Sequence, residues 1–65
     1  MSNPAIIRLR EMYEREVREL KQNISNLVIW RAGTMDDSAC RFYDTAIKEQ
    51  EQRLDMVMNH LSVLE

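Results

Sequence analysis

One cysteine, one glycine, one proline and one histidine occur in 65 residues. A single cysteine excludes an intrachain disulfide and any cysteine-rich metal site, and a lone free thiol suits a reducing cytosol. With one glycine and one proline, few turns are possible. No run approaches eighteen apolar residues, so no membrane span is expected. No basic stretch followed by an apolar run opens the chain, so no signal peptide is expected. The pattern contains no glycine-rich phosphate loop, no HExxH and no nucleophile elbow. An enzyme, a cofactor and a small-molecule substrate are therefore not expected.

The remaining composition is 45% hydrophobic and 31% charged, the mixture of amphipathic helices rather than of disorder. Residues 1–65 form one domain at most, and a chain this short usually needs a partner to bury enough surface. The net charge of -2 disfavours a general nucleic-acid binder. The charge is also uneven. Through Arg31 there are six basic and four acidic residues; beyond it, three basic and seven acidic. Halves of opposite sign favour lying side by side.

"SNPA" at the start reads as a helix cap at Asn3 with Pro4 in the first helical position, where a missing N–H costs nothing. Apolar residues then follow heptads: Ile6, Tyr13, Leu20 and Leu27 in one row, Arg10, Val17, Ile24 and Arg31 beside it. Gly33 suits a left-handed helix stop. Thr34 with Asp37 resembles a capping box, and Asp36 and Asp37 suit a positive first turn. The second helix carries the rows Cys40, Ile47, Leu54, Leu61 and Tyr43, Gln50, Val57, Leu64, with Ser38, Thr45, Gln52 and Asn59 opposite. Glu11–Arg15, Glu14–Arg18, Asp37–Arg41 and Asp44–Lys48 have the spacing of helical ion pairs.

The expected fold is all-α: an antiparallel two-helix hairpin, about 4–32 and 35–64, dimerising into a four-helix bundle. Folding at Gly33 matches Leu27 with Cys40, Leu20 with Ile47, Tyr13 with Leu54 and Ile6 with Leu61. Val17 then meets Gln50, a polar residue that can set register. Two flush 29-residue helices make a hairpin of roughly 43 Å.

Several apolar residues fall outside this seam. Ile7, Leu9, Met12, Phe42, Met56, Met58 and Val63 are the candidate dimer interface, since a second hairpin could cover them. Leu27 to Trp30 are apolar through more than a full turn. Val28, Ile29 and Trp30, with Met35 and Phe42, either close the bundle end or anchor another protein, for which tryptophan and methionine are favoured. Asp37, Asp44 and Glu51 repeat every seven residues. They form a solvated stripe, an interhelical pairing row or a contact for a basic protein surface.

Cys40 and His60 lie 20 residues apart on one helix, about 30 Å along its axis, so they share no metal within a chain. Cys40 reads as a small seam hydrophobe, and His60 as a surface residue near a helix C-terminus. Arg8, Arg15 and Arg18 make a basic strip, but Glu11, Glu14 and Glu19 interleave with it and weaken any phosphate-binding field.

The run "LREMYEREVRELKQNISNLVIW" and its short turn resemble small phage-encoded helical hairpins of the anti-quorum-sensing, anti-activator type. That resemblance implies a non-enzymatic inhibitor that binds a host transcription regulator in the host cytoplasm. In size and heptad layout the chain also resembles the Rop RNA-binding repressor, with no RNA-contacting motif matched. A third alternative is a structural or assembly subunit of a larger helical complex.

Overall fold

The computed structural model describes residues 3–64 and shows two helices, α1 (Pro4–Ala32) and α2 (Asp37–Leu64). They pack against each other as an antiparallel hairpin 54 Å long and 14 × 12 Å in section. Among the described residues, no helix is long and apolar enough to cross a membrane.

Helix α1 starts as its sequence requires. The Asn3 side-chain oxygen accepts a 2.9 Å hydrogen bond from the Ala5 N–H, with Pro4 in the first turn. Its end lies where the glycine places it, but the geometry differs. Gly33 is right-handed, at φ -90 and ψ 0, not left-handed. Its N–H reaches the Ile29 and Trp30 carbonyls, and the Thr34 N–H reaches the Arg31 carbonyl, each at 3.2 Å. The last turn tightens in place of reversing.

The cap of α2 also moves. Asp36, not Thr34, accepts at the N-terminus: its carboxylate takes the Ala39 N–H at 3.0 Å, and its carbonyl takes the Cys40 N–H at 2.9 Å. Helix α2 therefore begins at Asp37, two residues later than the expected 35, and there is no Thr34–Asp37 box. Thr34 instead presents its carbonyl to the Cys40 thiol, 3.8 Å away.

The seam is the heptad seam, but it slides. Arg10 reaches the Leu64 carbonyl, the Tyr13 ring lies 5.4 Å from the His60 ring at a tilt of 46°, and Arg31 pairs with Asp44. These pairs place each α1 residue opposite a partner about one heptad beyond the flush match, a slide of roughly 10 Å. Leu20 is thus level with Leu54, Leu27 with Ile47 and Val17 with Val57. The expected matches Leu20–Ile47, Tyr13–Leu54, Leu27–Cys40, Ile6–Leu61 and Val17–Gln50 do not form. The slide explains the length of 54 Å against about 43 Å for flush helices. It leaves the first turns of α1 overhanging, so Ile6 is exposed.

The physical gain is at the centre. Sliding replaces a Val17–Gln50 match with valine against valine, and Leu20 (7% exposed) and Val57 (0%) become the buried core of the described residues. Gln50 now lies level with Ile24, with its side-chain oxygen buried and unpartnered.

The two candidate flanks and the turn end

Once the seam is fixed, every other position falls on one of two flanks or on the outside. An ion pair marks each flank. On one, Arg53 Nε donates to Glu16 at 2.8 Å, and its Nη1 lies 3.6 Å from the Met56 sulfur. On the other, Arg31 holds Asp44 through Nε, with a second, 3.3 Å bond through Nη2. In both pairs the carboxylate's hydrogen bond, then its charge, raises the arginine pKa further and keeps the guanidinium charged. Both pairs are exposed, so each adds little stability.

The first flank carries Trp30 and is the more apolar. Helical spacing puts Leu9, Met12 and Trp30 of α1 there, with Phe42, Met56 and Val63 of α2. Between them lies an open cavity of about 280 Å³ lined by Asn23, Asn26, Leu27, Trp30, Ala46, Glu49 and Gln50. A second depression lies at the overhang, lined by Pro4, Ala5, Arg8, Leu9 and Met12. We call this surface the tryptophan flank. The opposite, acidic flank carries Asp37, Asp44 and Glu51 with Ile7, Val28 and Met58.

This division sorts the residues proposed from sequence. Of the dimer candidates, Leu9, Met12, Phe42, Met56 and Val63 share the tryptophan flank; Ile7 and Met58 do not. All except the half-buried Leu9 are exposed. The acidic stripe lies on the opposite flank from Trp30, so the two cannot form one patch. Asp44 is taken by Arg31, while Asp37 and Glu51 join no ion pair among the described residues.

Val28, Ile29, Trp30, Met35 and Phe42 surround the turn end without closing it. All five are exposed, Ile29 at 66% and Met35 at 97%. A single hairpin gives them nothing to cover, because the tightened turn runs on along α1 and does not fold over its end. Val28 faces the acidic flank, Ile29 the outside and Trp30 the flank that bears its name.

None of the four expected i,i+4 ion pairs closes to 4 Å among the described residues; Asp44 takes the interhelical Arg31 in place of Lys48. Immobilising two long exposed side chains costs about what the pair returns. Arg8, Arg15 and Arg18 are likewise unpaired there. Cys40 is half-buried at the top of the seam, and no group of three potential metal ligands occurs among the described residues.

The sequence reading missed Arg10. It occupies a seam row, and its guanidinium donates a 3.0 Å bond to the Leu64 carbonyl across the hairpin. A cation at a helix C-terminus satisfies a free carbonyl and the helix dipole together. Arginine in an apolar heptad row was the available signal. The chain matches no family model, no curated protein and no solved structure.

Proposed function

We propose that this protein is a non-enzymatic interaction module, a self-associating helical hairpin that binds and modulates another protein through its turn end. One observation carries the reading. Only Leu20 and Val57 are buried, while eleven large apolar side chains from Ile6 to Val63 are exposed among the described residues. Soluble monomers rarely present this much apolar surface without a partner for it. The tryptophan flank suits self-association. Ile29 and Val28 point away from it and, with the exposed Met35 of the turn, remain for a second protein.

The finer form, implied by the phage-hairpin resemblance, is inhibition of a host transcription regulator. Asp37 and Glu51, unpaired on the acidic flank, complement the basic surface such a regulator turns to DNA. The experiment is affinity capture from lysate of the source cells with the wild type and Ile29→Asp. Ile29 lies outside the seam, so the variant keeps its helicity. A protein retained by the wild type and lost by the variant is the expected result. Equal recovery of every bound protein by both overturns the turn-end reading. Salt-sensitive retention on RNA or DNA in its place transfers the function to the Arg8, Arg15 and Arg18 strip.

A further inference from the structure

The tryptophan flank has an order along its length that specifies how a second copy sits on it. Residue levels follow from the seam, at 1.5 Å of rise per residue. At the turn end, Trp30 of α1 and Phe42 of α2 lie within about 3 Å of the same level. Near the middle, Glu19 of α1 and Arg53 of α2 do the same. Towards the open end, Met12 of α1 is level with Val63 of α2 to about 2 Å.

We propose that two copies pack tryptophan flank to tryptophan flank with their turns at the same end, related by a two-fold axis along the hairpin. In that arrangement α1 of each copy faces α2 of the other at equal level. Trp30 then meets Phe42 of the second copy, and Met12 meets Val63. Arg53, already held by its own Glu16, gains Glu19 of the second copy and becomes a bridge between two carboxylates. Glu49 of the second copy comes level with Asn26, whose amide can donate to it.

The alternative two-fold axis runs across the hairpin and puts the turns at opposite ends. Each helix then faces its own copy. Overlaying the flanks in full sets Arg53 against Arg53 and Glu19 against Glu19 near the axis. Like charges pressed together at an interface disfavour that arrangement. The same-end arrangement has opposite charges at the centre and apolar pairs at both ends.

The area fits one additional chain. The hairpin exposes 5309 Å², whereas a folded monomer of 7.8 kDa exposes about 4,400 Å². The excess, roughly 900 Å², is close to the 800 Å² or so that each partner buries in a stable interface. A flank 54 Å long and 14 Å wide has a footprint of about 750 Å², enough to bury it.

This arrangement rests on the self-association proposed above, and one experiment separates the two. In the full chain, Cys40→Ala removes the native thiol and Ser38→Cys, on the exposed outer face near the turn, takes a spin label. Light scattering gives the mass and dipolar spectroscopy the label-to-label distance. Turns at the same end place the labels within about 30 Å across a bundle of helices 8–10 Å apart. Turns at opposite ends place them beyond about 40 Å. A dimer with the short distance is expected. A dimer with the long distance overturns the arrangement alone, and a helical monomer overturns the arrangement and self-association together.

Discussion

The guanidinium of Arg10 donates a 3.0 Å hydrogen bond to the backbone carbonyl of Leu64, joining the open ends of the hairpin. The contact exists only because the helices are displaced by about one heptad from a flush match. It ties the C-terminus of α2 to the second turn of α1 and leaves the first turn projecting beyond it.

Arg10→Ala should lower stability by about 1.5–3 kcal/mol, the range for a hydrogen bond with one charged partner. Arg10→Met should cost less, because it keeps the packing and removes the buried, unpartnered Nε. Urea unfolding followed by helicity measures both, at one fixed protein concentration because any self-association would shift the midpoint. An unchanged midpoint for Arg10→Ala removes the clamp.

Gly33→Ala should be neutral or stabilising, by up to about 1 kcal/mol, because the right-handed backbone accepts alanine and the unfolded chain loses freedom. An added Cβ meets only the Trp30 and Ile29 carbonyl oxygens, at 3.7 and 3.8 Å, which is ordinary contact. A loss of about 1 kcal/mol in thermal unfolding is the signature of a left-handed stop and contradicts the observed turn.

Asp36→Ala should cost about 1 kcal/mol through loss of the cap on the Ala39 N–H. Thr34→Ala should cost less, since Thr34 contributes its backbone carbonyl to Cys40. Side-by-side melting curves decide, and the reverse ranking restores Thr34 as the cap.

Gln50→Leu should stabilise the hairpin by about 1 kcal/mol, because it removes a buried acceptor with no partner from an apolar seam. Denaturant midpoints test this. A clear loss of stability shows that the Gln50 amide oxygen is satisfied in solution.

The periodicity made the two helices, the seam rows and the place of the turn legible. Residues such as Leu20, Leu54 and Val57 could occupy only the shared face, and Gly33 was the one position suited to a stop. The register was not legible for the same reason the rows were. A heptad pattern slid by seven residues matches itself, so Leu20 accepts Ile47 or Leu54 equally well. The slide exchanges a Val17–Gln50 match for valine against valine, and the turn accommodates it with a right-handed Gly33 and a cap at Asp36. Hydrophobicity alone grouped Ile7 and Met58 with Leu9 and Met12. Their heptad positions on either side of the seam separate them, and the Glu16–Arg53 and Arg31–Asp44 pairs mark the two flanks.

The central claim is that this hairpin is completed by another chain. A dilution series followed by light scattering and thermal unfolding tests it most directly. The expected result is a mass near twice 7.8 kDa, with a melting temperature that falls as the protein is diluted. A mass of one chain, with cooperative melting independent of concentration, contradicts it.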